Sequence, residues 1–350
     1  MMIGQPLYDE KAQVLLKKGT RLSGYMINRL IALDHSYVYV YDGVDDYELT
    51  DVIRPELRMK AVNNLRRLAS RLSEEQDFPT GRKPSLQTQE EMNLLKAATA
   101  EIVDHIFSEK NVVVEMLDIK HVNSLLFQHS VNTMIHSAIL GTAAGLKREE
   151  LEKLAYGALL HDIGHLQTPD SILKKKGKLT EEEMVIARTH TIKGFAFLTT
   201  EFDIQPTIKI VALEHHEKVD GTGYPHGKSG ENLHRYSKIT AIANRFDSLS
   251  SERPYRKPES LSECLEYIMG AGGSHFDADL TKIYMKHINP YPINTLVKLS
   301  DGSRATVTEV NSSFFLRPVV KIVKGEKRGE TVNLMENNTL VIINDLSVPG

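Results

Sequence analysis

Two stretches decide the fold: ALLHDIGHLQTP at residues 158–169 and HHEKVDGTGYP at residues 215–225. The apolar spacing before the first stretch predicts a helix over 149–164, with His161 and Asp162 side by side near its end. Because adjacent residues on a helix diverge by about 100°, both side chains can reach one metal ion from neighbouring directions. Gly164 then allows the chain to turn. The sequence therefore predicts a metal site at this helix end.

Histidines are concentrated around these stretches. The chain has 14 His, and ten of them lie between residues 121 and 234. A single His on an amphipathic helix is more often a core residue, but adjacent His-Asp and His-His pairs with two further His favour a metal site. Imidazole suits Fe, Mn, Zn or Ni, and a carboxylate can bridge two ions. The predicted site is therefore dinuclear, with Asp162 bridging. His129 and His161 are expected to serve one ion, and His190, His215 and His216 the other.

Residues 120–289 resemble the HD-GYP family, a branch of the HD phosphohydrolase superfamily. The resemblance rests on HDIGHLQTPDSILKKKGKLTEEE at 161–183, on HHEKVDGTGYP, and on ITAIANRFDSLSSERPYR at 239–256. It implies a bacterial signalling enzyme that hydrolyses cyclic di-GMP to linear pGpG and on to GMP, using hydroxide activated at a dinuclear metal site. Iron or manganese is the implied metal, as two divalent ions.

The resemblance also implies roles for individual residues. The metal ligands would be His129, His161, Asp162, His190, His215, His216 and Asn244. The catalytic candidates are Asp162 and His165. The substrate contacts would be Gly223, Tyr224, Pro225, Arg253 and Arg256. The glycine-rich loop can bring backbone N–H groups to a phosphate and Tyr224 to a base, and Arg can bind a phosphate through paired hydrogen bonds.

Three positions depart from the family pattern. Asn244 replaces an Asp that binds metal, so the metal should be held more weakly. His165 replaces a Lys; with an ordinary pKa near 6.5 it could protonate the leaving sugar oxygen, or it could be an extra ligand. Leu125, four residues before His129, replaces the Glu of trinuclear members, so two ions are expected rather than three. Asp247, one helical turn after Asn244, matches a second family Asp and is expected to ligate only if the helix shifts.

Two functions from different classes remain open at this point. One is the active phosphodiesterase. The other is a degenerate receptor that binds cyclic di-GMP or a metal and signals through its flanking domains without turnover. Asn244 and His165 favour the receptor, whereas the five His, Asp162 and the GYP loop favour the enzyme.

Composition excludes several other classes. The net charge of −3 argues against a broad basic face, so no direct nucleic-acid binding is expected. No run approaches the ~18 apolar residues of a membrane helix, and the N-terminus lacks the apolar core of a signal peptide. Cys264 is the only cysteine, which favours a reducing cytoplasm.

The predicted fold class is mainly α: an HD-type helical bundle with a small N-terminal α/β unit and a C-terminal β-rich subdomain. Residues 1–71 are expected to form the N-terminal unit with its helix, a regulatory or dimerisation element that makes a homodimer the expected assembly. Residues 72–90, with two Pro and one Gly, predict a linker. Residues 91–289 would be the metal-dependent phosphohydrolase domain. Residues 290–350 change to short β-rich runs separated by turns, which predicts a small open barrel or a sheet packed on the helices.

Overall fold

The computed structural model describes most of the chain, including all of the HDIGH and GYP stretches. The described residues are 2–4, 6–8, 14–32, 38, 40–41, 53–74, 84–108, 114–115, 125–175, 177–251 and 259–345. The helices are α1 (Gly24–Ala32), α2 (Pro55–Glu74), α3 (Leu86–Ser108), α4 (Leu125–Ala143), α5 (Arg148–Leu159), α6 (Asp170–Leu173), α7 (Glu181–Arg188), α8 (His190–Thr200), α9 (Pro206–Glu214), α10 (Arg235–Ser250), α11 (Leu261–Gly270) and α12 (Ala278–Met285). The strands are β1 (Met2–Ile3), β2 (Leu7–Tyr8), β3 (Val14–Leu16), β4 (Val40–Tyr41), β5 (Val114–Glu115), β6 (Ile288–Asn289), β7 (Leu296–Leu299), β8 (Arg304–Glu309), β9 (Val319–Lys324), β10 (Thr331–Asn333) and β11 (Ile342–Asp345).

Helix α4 runs through the middle of the helical bundle. It packs against α2, α3, α5, α10 and α12. Every residue from 129 to 141 is buried, as expected for a helix that is covered on all sides. Met134, Ile139 and Leu140 anchor it in one continuous apolar core that also includes α5 and α10. The interior position of α4 is what places His129 at the centre of the molecule.

Helix α5 ends earlier than predicted. Its last residue is Leu159, and the Leu160 N–H donates to the carbonyls of Ala158 and Tyr156. His161 and Asp162 lie in the following turn, and a short 3₁₀ helix covers Ile163–Gln167. The prediction of a helix that continues through Gly164 was therefore wrong. The cause is tertiary: the chain leaves the helical path so that Gly164 can touch α8, where a Cβ on Gly164 would lie 2.0 Å from the His190 carbonyl oxygen.

The C-terminal strands form a five-stranded antiparallel sheet with the order β10-β9-β8-β7-β11. Buried and exposed residues alternate along β7 and β8, because successive side chains point to opposite faces. The inward residues Val297, Val307 and Val320 belong to a second apolar core. Leu316 packs against both this core and the helical core. The predicted β-rich tail is confirmed, with β10 as a strand that the pattern did not predict.

The N-terminal segment contains two small antiparallel pairs, β1 with β4 and β2 with β3. Ile3, Leu7 and Leu30 form its core. Within the β-branched and aromatic run YVYVY at residues 37–41, β4 is seen, whereas Tyr37 and Tyr39 lie outside the described residues. The predicted fold class, a mainly α bundle with a β-rich C-terminal part, is confirmed.

Helix α2 belongs to the helical core rather than to the N-terminal strands. Its residues Ala61, Leu65 and Leu68 are buried in the same apolar cluster as α3 and α4. It extends to Glu74, and α3 already begins at Leu86, so the predicted linker over 72–90 is helical at both ends. The domain boundaries themselves stay predictions. No helix within the described part of the chain combines the length and apolar character needed to cross a bilayer.

Candidate metal centre

Asp162 is shared by two groups of potential metal ligands. One group contains Asp162, His190, His215 and His216, and the other contains His129, His161 and Asp162. Within each group the ligand atoms lie within 4.8 Å of one another. The groups have the composition expected from the sequence, with the carboxylate common to both.

The two oxygens of the Asp162 carboxylate face different groups. Oδ2 lies 3.3 Å from His161 Nε2 and 3.7 Å from His129 Nε2. Oδ1 lies 3.4 Å from His215 Nε2 and 3.5 Å from His190 Nε2. A carboxylate oriented in this way can contact two ions at once, whereas an imidazole presents one lone pair.

Backbone carbonyls orient three of the imidazoles. The Nδ1 atom of His161 lies 2.7 Å from the Ala158 oxygen, and that of His190 lies 2.6 Å from the Ala187 oxygen. The His215 Nδ1 lies 3.1 Å from the carbonyls at the end of α9. Because a carbonyl only accepts, each Nδ1 donates and each Nε2 keeps its lone pair for the cluster.

Several of these inward atoms lack a proton donor. His161 Nε2 and Asp162 Oδ1 are buried, and neither makes a hydrogen bond among the described residues. The Nε2 atoms of His190 and His215 lie only 3.2 Å apart, although both carry lone pairs. Buried polar atoms are nearly always satisfied, and a cation between these atoms would satisfy all of them. The donor set therefore fits divalent metal binding.

Burial keeps His190, His215 and His216 in the neutral form that metal binding needs. It lowers the pKa of His190, that of His215 to about 4, and that of His216 well below its usual value. Burial also opposes charge on Asp162, but the neighbouring His161 and His165 outweigh this and hold its pKa well below the usual range. At neutral pH this group presents the Asp162 carboxylate and the neutral imidazoles of His190, His215 and His216.

His165 lies beside the cluster and outside both ligand groups. Its ring stacks on His190 with centroids 4.0 Å apart, and its Nδ1 lies 3.3 Å from Thr168 Oγ1. Its Nε2 is 3.9 Å from Asp162 Oδ1. Burial lowers its pKa to about 3, so the imidazolium that an ordinary pKa would provide is not populated at neutral pH. The expectation of a proton donor rested on that ordinary pKa, and the catalytic role of His165 stays a prediction.

The GYP loop is held against the cluster by Glu217. This buried carboxylate accepts hydrogen bonds from the backbone N–H groups of His226 at 2.7 Å and Lys228 at 3.1 Å. A Cβ on Gly223 would lie 2.4 Å from the Lys218 nitrogen, so the loop requires glycine there. The next residue, Tyr224, stacks on the candidate ligand His216 with centroids 4.7 Å apart.

Tyr224 is packed between the His216 ring and the Arg188 guanidinium. The Arg188 guanidinium carbon lies over the Tyr224 ring, 5.0 Å from its centroid. The peptide bond between Tyr224 and Pro225 is cis. The predicted role of Tyr224 against a base stays a prediction. The observed contacts of Tyr224 position His216 and Arg188. The sequence pattern singled out neither Arg188 nor Glu217.

Replacing Glu217 with Ala should loosen this loop. Two partly buried backbone N–H groups would lose a charged acceptor, which should lower the free energy of unfolding by about 2 kcal/mol. Thermal unfolding measures the change, and the Tyr224–His216 packing can be followed by tyrosine fluorescence. Glu231→Ala removes an exposed acid from the same segment and should leave both signals unchanged. Equal melting temperatures for the two variants would contradict the role of Glu217.

The structure describes three of the remaining residues that the sequence analysis singled out, and two lie outside its described part. Asn244 is buried on α10, one turn before the buried Asp247, and stays a predicted ligand. Arg253 and Arg256 lie outside the described residues. Leu125 is the first residue of α4, one turn before His129. Asp247 proves to contact His129 rather than the shared carboxylate, with its Oδ2 2.6 Å from His129 Nδ1.

The metal-free protein should lose stability as the pH falls from about 6.5 towards 4. His136 on α4 is buried, with its Nδ1 3.0 Å from the Tyr284 hydroxyl oxygen, and burial lowers its pKa to about 4. Between these two pH values the unfolded chain binds more protons than the folded one, so the free energy of unfolding falls with pH, by about 3 kcal/mol for this group. Above pH 6.5 the contribution is complete.

The measurement compares melting temperatures of chelator-treated wild type and His136→Gln from pH 7.5 to 4.5. The variant should show the shallower decline, because it lacks this titrating group. Parallel curves would show that His136 does not contribute.

Comparison with known proteins places this geometry in a family. Residues 112–280 match the model of the HD domain, and residues 296–348 match that of the KOW domain associated with the HD domain. A cyclic di-GMP phosphodiesterase of Pseudomonas aeruginosa is 28% identical over 270 residues, which cover 77% of this chain and 64% of that protein. A cyclic di-GMP phosphodiesterase of Thermotoga maritima is 31% identical over 255 residues, covering 70% and 65%.

A solved structure supports the fold. An HD-GYP-type protein of Bdellovibrio bacteriovorus superposes with a TM-score of 0.50 at 18% identity, covering 81% of this chain and 94% of that one. The chain spans less than two thirds of the length of the two phosphodiesterases that it resembles. These matches confirm the resemblance that the HDIGH and GYP stretches indicate: residues 112–280 carry an HD domain, and the chain is similar to phosphodiesterases of the HD-GYP type.

Proposed function

We propose that this chain is a metal-dependent phosphodiesterase that hydrolyses cyclic di-GMP to linear pGpG and on to GMP. The observation that carries the proposal is the Asp162 carboxylate, whose two oxygens face two separate groups of imidazole nitrogens. The names of the relatives supply the substrate class. Two divalent ions, iron or manganese, are proposed, held by the seven predicted ligands including Asn244.

The metals would supply an activated water and charge stabilisation at phosphorus. The chain's own residues hold the donors in place. The carbonyls of Ala158 and Ala187 fix the imidazole rings of His161 and His190. Glu217 fixes the loop that carries Gly223 and Tyr224. Gly223, Tyr224, Pro225, Arg253 and Arg256 are the proposed substrate contacts.

The neutral state of His165 changes the role that we propose for this residue. Because burial lowers its pKa to about 3, we assign it the positioning of His190 through ring stacking rather than protonation of the leaving oxygen. The proton would then come from solvent. The intact pair of ligand groups favours the enzyme over the receptor.

The test is hydrolysis by the full chain after chelator treatment and reloading with Fe²⁺ or Mn²⁺, followed by chromatography of the products. Linear pGpG from cyclic di-GMP is the expected result, with cyclic GMP–AMP as the comparison substrate. Tight binding of cyclic di-GMP without product at either metal would overturn the proposal in favour of the receptor.

Replacing Asn244 with Asp should raise metal occupancy. A carboxylate attracts a divalent ion more strongly than an amide dipole does, so bound metal after dialysis should rise, and turnover with it if metal retention limits the rate. Elemental analysis of both proteins measures this. Asp279→Asn, an exchange of the same two residue types at an exposed position, should change nothing. Equal metal content in wild type and Asn244→Asp would remove Asn244 from the ligand set.

Three further assignments are part of the proposal. The N-terminal strands would act in regulation or dimerisation, with a homodimer as the assembly. The protein would act in the cytoplasm of a bacterium. Neither nucleic acid nor a membrane would be a direct partner of the protein.

A further inference from the structure

A chain of hydrogen bonds connects helix α2 to the metal cluster. Arg58 Nη1 on α2 lies 2.8 Å from Asn132 Oδ1 on α4. Asn132 Nδ2 lies 2.9 Å from Asp247 Oδ1 on α10. Asp247 Oδ2 lies 2.6 Å from His129 Nδ1. The last member, His129, presents its Nε2 to Asp162 Oδ2 at 3.7 Å.

The chemistry of these groups fixes the direction of every bond. A guanidinium only donates, so the Asn132 oxygen accepts and its amide nitrogen is turned towards Asp247. An ionised carboxylate only accepts, so His129 Nδ1 carries the proton. The His129 Nε2 then has the free lone pair that a metal ion requires. The tautomer of His129 therefore depends on the groups behind it.

The three members of the relay nearest the cluster are buried. Asp247 has no exposed surface, and Asn132 and His129 are also buried. A buried carboxylate must be compensated by hydrogen bonds and opposite charge. Arg58 holds the Asn132 amide in the orientation that donates to Asp247. Without Arg58 the amide can rotate, and the carboxylate then loses a donor that positions it against His129.

Arg58 lies outside the HD domain match at residues 112–280. It is carried by α2, which packs on α3 and α4 through its apolar residues. A displacement of α2 along α4 would move Arg58 relative to Asn132 without breaking any bond of the ligand turn at His161 and Asp162. The two ligand groups differ in this respect, because among the candidate ligands the relay described above ends at His129.

We propose that Arg58, Asn132 and Asp247 form a positioning relay through which α2 sets the metal affinity of the His129–His161–Asp162 group. The inference rests on the proposed metal-dependent function and adds its regulation: a shift of α2 changes the occupancy of one ion and leaves the other in place. Arg58 is a positioning residue in this scheme, since it acts through Asn132 and Asp247.

The experiment compares the full-length wild type with Arg58→Met, Arg58→Lys and Arg67→Met. Arg67 is on the same helix and pairs with Glu91, so its substitution removes an arginine from α2 without touching the relay. Each metal-free protein is titrated with Mn²⁺ by calorimetry. Arg58→Met should bind one of two ions about tenfold more weakly, and the second ion as wild type does. Arg58→Lys should restore most of the affinity, and Arg67→Met should match wild type.

A second readout does not require metal. Histidine labelled with ¹⁵N reports which ring nitrogen carries the proton, and the His129 signals are assigned from their loss in His129→Gln. Wild type and Arg67→Met should show the Nδ1–H form, and Arg58→Met a mixture of the two tautomers. Unchanged ring signals with unchanged affinities in Arg58→Met would overturn the relay, as would equal weakening of both ions. A wild type that binds no Mn²⁺ or Fe²⁺ would instead refute the proposed function, and the ring signals would still decide the relay.

Discussion

Replacing Asp162 with Ala should empty both metal positions at once. The two oxygens of this carboxylate face the two ligand groups at 3.3–3.7 Å, and each group contains Asp162. Removal leaves two imidazoles in one group and three in the other, with no anionic ligand in either. Hydrolysis of cyclic di-GMP should fall by about 10³-fold or more, because activation of water and charge stabilisation both depend on the metals.

Two comparison variants make the Asp162 result interpretable. Asp162→Asn keeps one acceptor oxygen and should therefore retain at most one ion. Asp279→Ala removes an exposed carboxylate that pairs with Lys282 and should keep two ions and full turnover. Elemental analysis gives the metal content, and circular dichroism checks that each variant is folded. Two ions per chain in Asp162→Ala would show that the carboxylate does not bridge.

The grouping of the candidate ligands could be predicted because several of them are neighbours in the sequence. His161-Asp162 and His215-His216 are adjacent in the chain, and His129 stands out in a helix without charged residues. The structure brings these side chains into two groups around Asp162 with the division that was predicted. The β-rich tail was predictable for a similar reason, since its alternation follows directly from strand geometry.

Features that depend on distant residues were not predictable. The contact between His129 and Asp247 joins positions 118 apart in sequence, and no periodicity reveals such a pair. The neutral state of His165 follows from its burial beside His190, which is a tertiary property. The role of Glu217 depends on the path of the loop that returns to it at His226 and Lys228.

The early end of α5 shows most clearly that tertiary packing can override local helix propensity. Leu159 to Gly164 have helical spacing of apolar residues, and local propensity gives no reason to stop before the glycine. The chain turns because the backbone of Gly164 packs on the backbone of α8 near His190 and Gly194. The same contact brings the His161-Asp162 turn to the histidine at the start of α8, so the misplaced helix end and the assembly of the site have one cause.

Replacing Gly164 with Ala should therefore damage both the fold and the metal centre. The added Cβ would lie 2.0 Å from the His190 oxygen and 2.6 Å from the Gly194 nitrogen. Both are backbone atoms, so no side-chain rotation can relieve the overlap. The first turn of α8 must move away, which should cost about 3 kcal/mol or more. Because His190 is the first residue of α8, its Nε2 would also leave the position 3.2 Å from His215 Nε2.

Two further glycine variants test whether the damage caused by Gly164→Ala follows from the lack of space for a Cβ. A Cβ on Gly194 would lie 3.2 Å from the Gly164 nitrogen, and a Cβ on Gly270 would meet nothing within 4 Å. Melting temperature and Mn²⁺ affinity should therefore fall most in Gly164→Ala, less in Gly194→Ala, and not in Gly270→Ala. Added metal should also raise the melting temperature of Gly164→Ala less than that of wild type, because the displaced residue, His190, is a proposed metal ligand. A Gly164→Ala protein with wild-type affinity would mean that the turn and α8 can separate without disturbing the ligands, and the close backbone contact would then serve folding alone.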